Sequence, residues 1–213
     1  MKVALFAFRL KSKLMLILAS ASPRRLELLR NVGIQFVVQP TNIPEIPQPA
    51  ELPWQFAERL ARGKALVIAR EKPDDFVLGA DTIVVVDEQI LGKPRDPADA
   101  ARMLRLLSGR LHEVITAVCL VSPTPRTRET GKWKPETALT DIRSESTRVV
   151  MNPLSEPDIA SYIASGEPMD KAGAYAIQGG ASRWIPRIEG DYSNVVGLPV
   201  ALVIRMLREH GVI

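Results

Sequence analysis

The run Phe76–Val86, FVLGADTIVVV, constrains this chain more than any other segment: long, apolar and rich in β-branched residues, it reads as a central strand with a hairpin partner near Gln89–Leu91. Strand and helix patterns alternate around it, which points to an α/β fold with helices packed on a sheet. Leu14–Leu18 is an apolar strand, Pro23–Val32 a helix closed by Gly33, and Gln35–Val38 a short strand. A proline-punctuated loop, Pro40–Pro53, leads to an amphipathic helix over Trp54–Arg70. Asp96, Pro97 and Asp99 start a helix that Ser108 and Gly109 stop, and Glu113–Val121 is a second buried strand. Thr137–Met151 alternates as a returning strand, Ser155 and Asp158 make a capping box for a helix ending at Gly166, and Pro199–His210 is the closing helix. Between these last two, Gly166–Pro199 reads as glycine turns and polar side chains among short apolar strands, the wall of a site. No internal repeat is present.

Charge narrows the function classes. The pI of about 9.4 suggests a polyanion partner, but Lys2, Arg9, Lys11 and Lys13 of the extension 1–13 supply the whole excess. Without them, the remaining 24 basic side chains balance the 24 acidic ones. Beyond the extension, only Arg126, Arg128, Lys132 and Lys134, in the loop Pro123–Pro135, form a basic cluster. No nucleic-acid partner is therefore expected. No segment approaches the roughly 18 consecutive apolar residues of a membrane span. The extension lacks the apolar core and cleavage site of a signal peptide, and Met15 is an alternative start. The single cysteine, Cys119, sits in an apolar run and reads as a buried thiol in a reducing, cytoplasmic setting.

The chemistry-bearing residues fall in a few places. In LMLILASASPRR, Ser22 is an N-cap and Pro23 the first helical residue, so Arg24 and Arg25 occupy a first turn, where cations oppose the helix dipole by roughly 0.3–1 kcal/mol each. That placement makes sense if an anion docks there; the competing reading is a solvated surface pair. Asp81 lies inside the apolar run, a position expensive for a carboxylate unless cations, a metal or hydrogen-bond donors meet it; the alternative is a structural acid bonded to backbone N–H groups. Glu45, held between Pro44 and Pro47, is either a surface acid or the second of two carboxylates holding Mg²⁺ or Mn²⁺. Lys64 and Lys93 can add ammonium groups to the same site or remain solvated. Gln178 ends the alternating run AYAIQ, where an amide can read a base edge or simply sit exposed in a turn. His112 and His210 are not at metal-ligand spacing.

In combination, SASPRR at 20–25, GADT at 79–82, LGKP at 91–94, LSG at 107–109, ITAV at 115–118, EPMDKAGAYAIQG at 167–179 and GDYSNVVGLP at 190–199 closely resemble the Maf family of nucleoside triphosphate pyrophosphatases. The resemblance runs from Leu14 to Gly211, so 14–213 is expected to be one domain behind the basic extension. It implies a two-lobed, mixed-sheet α/β fold with a deep cleft, similar to the inosine-triphosphate pyrophosphatases. It also implies hydrolysis of a nucleoside triphosphate to the monophosphate and pyrophosphate with a divalent metal, and it is compatible with a homodimer. By position, Asp81 corresponds to the family's proton acceptor, and Arg24, Thr82 and Gln178 to its substrate-specificity residues. The charge of a triphosphate adds Arg25, Lys64 and Lys93 as substrate-binding cations beside Arg24, with Ser20 and Ser22 in the same turn, and makes Glu45 and Asp81 the pair expected to hold the metal. Arg24, Thr82 and Gln178 match the residue types of the dTTP/UTP subfamily. The 7-methyl-GTP subfamily typically has tryptophan, glutamine and glutamate there. A purine or modified nucleotide such as 7-methyl-GTP is the enzymatic alternative, and a non-enzymatic nucleotide- or nucleic-acid-binding division regulator is the rival of another class.

Overall fold

The computed structural model describes residues 14–123 and 139–213. The extension 1–13 and all but the first residue of the loop Pro123–Pro135, with its four basic side chains, lie outside the described residues. The elements are β1 (Leu16–Ala19), α1 (Pro23–Asn31), β2 (Val37–Val38), α2 (Pro53–Glu71), β3 (Phe76–Val86), β4 (Gln89–Leu91), α3 (Pro97–Leu107), β5 (Leu111–Val121), β6 (Thr140–Val150), α4 (Glu156–Ala164), β7 (Arg187–Glu189), α5 (Tyr192–Val196) and α6 (Val200–Glu209). The strands form one seven-stranded mixed sheet in the order β2-β1-β3-β5-β6-β7, with β4 paired to β3. β1 is parallel to β2 and β3, and the other pairs are antiparallel. The starts of three helices follow from local chemistry. Ser22 accepts from the Arg25 N–H, Asp96 from Asp99, and Ser155 and Asp158 cap each other's backbone.

Because β3 and β5 stay paired from Val77↔Val121 to Val85↔Glu113, they run through two packing environments. Their outer halves are sandwiched, with Val77 and Ile83 against Phe56, Leu60 and Ile68 of α2 on one face. On the other face Phe76, Leu78 and Ala80 meet Leu29 of α1 and Leu202, Val203 and Met206 of α6. Beyond Thr82 the partners change on this second face, where Val84, Val86 and Val114 pack with Leu104 and Leu107 of α3 and with Ile159 and Tyr162 of α4, while Val85 on the first face still packs in the α2 cluster. At roughly 1.5–3 kcal/mol for each large apolar side chain removed from water, both cores hold the two strands firmly. Asp81 and Thr82 lie at the changeover.

A gap in the sheet opens at the same place. β1 covers one edge of β3 as far as Gly79, and β4 begins on that edge only at Val84. The edge of Ala80–Ile83 between them has no strand partner, and Arg25 Nη1 instead donates to the Ala80 carbonyl at 2.9 Å. Gly79 brings α2 close: a Cβ there would stand 2.3 Å from the Ala61 carbonyl oxygen, so the helix carrying Lys64 can lie directly on the strand carrying Asp81.

One expectation needs correction. The wall segment Gly166–Pro199 is not built of short strands but of 3-10 turns at Glu167–Asp170, Ala172–Ala174 and Gly180–Trp184, followed by β7 and α5. In AYAIQ the consecutive Ala174 and Tyr175 are both buried in the core under α3 and α4, while Ala176 and Ile177 are half-buried and Gln178 is exposed, so no strand-like alternation of faces is present. Among the described residues, no helix is long and apolar enough to cross a membrane.

Candidate active site

The turn from β1 into α1 supplies the first wall of the cleft. Ser20 is buried; its hydroxyl oxygen accepts from the Ser22 N–H at 3.2 Å and from Arg25 Nη1 at 3.4 Å. Arg25 spends four of its five N–H donors on partners within the protein, which leaves one Nη2 N–H for a ligand in the cleft. Nε donates to the Gly197 carbonyl at 2.7 Å and Nη2 to Thr82 Oγ1 at 2.9 Å, besides the bond to Ala80. It lines the cleft as a strut that ties the turn after α5 to the open edge of β3. Burial draws its pKa below the ordinary arginine value, and the Asp81 charge opposes that drop. Arg24 stands nearer the entrance, its Nη1 3.6 Å from Asp170 Oδ2.

The second wall is a three-membered charge cluster. Lys64 Nζ, from α2, lies 2.5 Å from Asp81 Oδ1 on β3 and 2.6 Å from Glu45 Oε1 on the proline loop. Asp81 therefore meets a cation, not a row of backbone N–H groups. Burial raises the Asp81 carboxyl above the ordinary aspartate range, while Lys64 and Arg25 pull it down. For Glu45, burial also pushes upward, but the hydrogen bond and charge of Lys64, aided by Lys93 and Arg25, hold the carboxyl below its usual value. Lys93 is exposed just after β4 on the rim of the same cleft.

These residues converge. Ser20, Ser22, Arg24, Arg25, Glu45, Lys64, Asp81, Thr82 and Lys93 all line one open cleft of about 840 Å³. A much smaller pocket of about 50 Å³ adjoins it, with Val84, Val114, Lys171, Tyr175, Ile177 and Gln178 in its walls. Arg24 and Thr82 belong to both. Of the positions singled out from the sequence, only Gln178 lies outside the large cleft, and it lines the small one.

Thr82 Oγ1 stands 2.9 Å from Thr116 Oγ1, a contact in which either can donate, and 3.4 Å from the Gly197 carbonyl, and it accepts from Arg25 Nη2. When the buried Thr116 hydroxyl donates to the Asn194 carbonyl, 2.9 Å away, the Thr82 proton goes inward to Thr116 or Gly197 and one lone pair of Thr82 is left for the pocket. Asn194 completes this base: its side chain accepts from the Thr116 N–H and donates to the Val114 carbonyl and to Thr147 Oγ1. Thr116, Asn194, Asp170 and Tyr175 were not singled out beforehand. The motifs ITAV, GDYSNVVGLP and EPMDKAGAYAIQG contain them, but no residue type among them signals a site.

His112 and Tyr175 form a buried pair, Nε2 to Oη 2.8 Å, beneath the small pocket. Burial lowers the His112 pKa to about 4, so it is neutral at physiological pH. His210 bonds to Asp141 far from the cleft, and the Cys119 thiol, fully buried, is pushed up to about 12. None of the three is a metal ligand or nucleophile in this arrangement. Among the described residues, no cluster of three or more His, Cys, Asp or Glu side chains is placed to hold a metal by itself. The pair Glu45 and Asp81 does suit a hard divalent cation that takes its remaining ligands from phosphate and water, because both offer carboxylate oxygens about a single point, now filled by the Lys64 ammonium.

The model of the family described as Maf-like protein matches residues 15–210. The chain belongs to the Maf family. A relative from Koribacter versatilis, named dTTP/UTP pyrophosphatase, is 55% identical over 198 residues, 93% of this chain and 95% of that protein. One of the same name from Geobacter sulfurreducens is 50% identical over 196 residues, covering 92% and 96% of the two chains. Among solved structures, the Ham1 protein of Staphylococcus aureus aligns over 92% of this chain and 99% of its own, with 11% identity and a TM-score of 0.49. Five of the seven motifs that carry the Maf resemblance contribute residues to the two pockets, namely those of the β1–α1 turn, the centre of β3, the turn after β4, the stretch through Gln178 and the segment through Gly197, whereas LSG at 107–109 and ITAV at 115–118 do not.

Proposed function

We propose that this Maf-family chain hydrolyses dTTP and UTP to the monophosphate and pyrophosphate. The observation that carries the reading is the shared wall. Thr82 faces the small pocket and the large cleft, and the next residue toward the N-terminus is Asp81. A nucleotide whose base fills the small pocket then leads its phosphates past Asp81 in order, with the α phosphorus, closest to the nucleoside, beside the carboxylate.

The residues divide the work accordingly. The small pocket takes the pyrimidine ring. Thr82, an acceptor there, faces the N3–H that uracil and thymine carry and cytosine lacks, and Gln178 offers its amide to a carbonyl on the same edge. Arg24 and Lys93 provide cations to a triphosphate carrying about four negative charges, each unit pair at 4 Å worth roughly 4 kcal/mol at an effective dielectric near 20. Asp81, its pKa raised by burial, orients the attacking water and takes its proton. Lys64 holds that carboxylate in place and stabilises it as the anion. A divalent cation held by Glu45 and Asp81 would neutralise charge on the phosphates and on departing pyrophosphate. Water adds to the α phosphorus, the bond to the β-phosphate oxygen breaks, and pyrophosphate leaves with its electron pair.

Pyrophosphate release from dTTP, UTP, CTP and 7-methyl-GTP, measured side by side, tests the substrate. dTTP and UTP are expected to lead by at least about tenfold. Preference for 7-methyl-GTP would overturn the assignment. Hydrolysis in ¹⁸O-water places the label in dTMP if attack is at the α phosphorus, and in pyrophosphate if it is not.

A further inference from the structure

Gln178 stands at the exposed tip of a turn, 176–179, that leads into the 3-10 turn Gly180–Trp184, yet reading a base edge demands a fixed amide. Its backbone bonds are Gly179 N–H to the Ala176 carbonyl at 3.1 Å and Ser182 N–H to the Gly179 carbonyl at 3.0 Å. Its other restraints come from side chains. Tyr162 of α4 accepts the Ala176 N–H on its phenol oxygen at 3.0 Å and donates its own proton to Glu167 Oε1 at 2.7 Å. The Glu167 carboxylate in turn accepts the Gly180 N–H, 3.1 Å from each oxygen. The backbone is thus held two residues before and two residues after Gln178 by one continuous chain of hydrogen bonds.

The anchors are themselves rigid. Tyr162 is buried and stands edge-to-face against Trp184, ring centroids 5.4 Å apart. Glu167 is braced by its N–H on Ser165 Oγ and by Lys171 Nζ on its carbonyl. Gly179 makes the approach possible, since a Cβ there would fall 2.0 Å from Glu167 Oε1. The phenol has one proton and gives it to the carboxylate, so the direction of every bond in the relay is set.

We propose that Tyr162 and Glu167 are positioning residues that fix Gln178, and that this clamp, not Gln178 alone, sets discrimination between uracil-type and cytosine-type nucleotides. The proposal rests on Gln178 reading the base, as argued above. Neither residue touches substrate.

The test compares Tyr162→Phe, Glu167→Ala and Glu167→Gln with Gln178→Ala, each checked for an intact fold by thermal melting. Tyr162→Phe and Glu167→Ala are expected to raise KM for dTTP about tenfold with kcat within about twofold, leave KM for CTP nearly unchanged, and so narrow the preference by the same factor. Glu167→Gln, which keeps the acceptor for Gly180, should restore most of it. In a Gln178→Ala background, Tyr162→Phe should add less than about twofold, because the clamp then has nothing to position. Equal effects on dTTP and CTP, or full additivity with Gln178→Ala, would overturn the clamp and leave only a supporting role in the fold. If Tyr162→Phe melts at low temperature, Glu167→Ala and Glu167→Gln carry the comparison alone. The two readings fail separately. If Gln178→Ala itself leaves the dTTP preference intact, Gln178 does not read the base; if it abolishes the preference and the clamp variants do not, the clamp is wrong.

Discussion

The phosphate half and the base half of the cleft are built by opposite means. Around Asp81 most functional groups sit on regular elements: α1 supplies Arg24 and Arg25, α2 Lys64 and β3 Asp81, with Glu45 brought in from the proline loop by a 2.6 Å contact to Lys64, which itself lies 2.5 Å from Asp81. Around Gln178 the wall is a succession of 3-10 turns, held where the Ala176 N–H donates to the Tyr162 phenol oxygen and the Gly180 N–H to the Glu167 carboxylate. Chemistry on a phosphorus needs charge at fixed points, which two packed cores can guarantee, whereas choosing a base needs a shaped pocket that short turns can provide. Damage in the first half should therefore act on turnover, and damage in the second on selectivity.

The largest expected effect is in the phosphate half. Asp81→Asn keeps the shape and removes the base, so kcat for dTTP should fall about 10³-fold with KM changed little, read by pyrophosphate release. Near-normal turnover would dissolve the distinction between the halves. In the base half, Gln178→Glu replaces donor and acceptor by acceptors alone and should lower kcat/KM for dTTP roughly 10–100-fold, mainly through KM. A loss confined to kcat would contradict the division.

The charge cluster predicts a pH effect with a definite sign. Asp81 is raised by burial and lowered by Lys64, so activity should fall as acid protonates the carboxylate at a pH above the ordinary aspartate value. Lys64→Met removes the lowering influence, and the acid limb of the kcat/KM profile should move to still higher pH. A shift toward lower pH would mean that Lys64 is not the partner holding the anion.

The smallest effect concerns stability alone. Unfolded histidine takes up a proton near pH 6.5, while burial holds folded His112 to about 4. The unfolded state therefore binds more protons between those values. Stability should be full above pH 6.5 and decline by about 3 kcal/mol as pH falls to 4. His112→Gln should flatten that decline in denaturant titrations, without altering the ratio of dTTP to CTP hydrolysis.

Legibility from sequence followed the same division. The strands at Leu14–Leu18 and Phe76–Val86 were legible because an apolar run has few other fates, and Ser22, Asp96 and Ser155 marked helix starts through caps that act within three residues. Asp81 stood out as a carboxylate in such a run. What bridges it did not, since the meeting of Lys64 with Glu45 and Asp81 depends on how closely Gly79 admits α2 to β3, a tertiary matter. Arg25 read as a surface or ligand cation because nothing local shows that Gly197, 172 residues away, accepts from it. The base wall reads as short strands because short apolar stretches between glycines carry no signal that separates a strand from a 3-10 turn, and the consecutive burial of Ala174 and Tyr175 is set by packing under α3 and α4. Tyr162 left no trace and Glu167 stood only as the first residue of the motif at 167–179, since the role of each lies in where its hydrogen bonds end.

The central claim, that one substrate spans both halves with its base against Thr82 and Gln178 and its α phosphorus beside Asp81, is tested most directly by a crystal structure with α,β-imido-dTTP. The account predicts the thymine ring between Val114 and Ile177, its N3–H on Thr82 Oγ1, and the α-phosphate next to the carboxylate of Asp81. A thymine ring outside the small pocket, or a triphosphate whose α phosphorus lies away from Asp81, would contradict it.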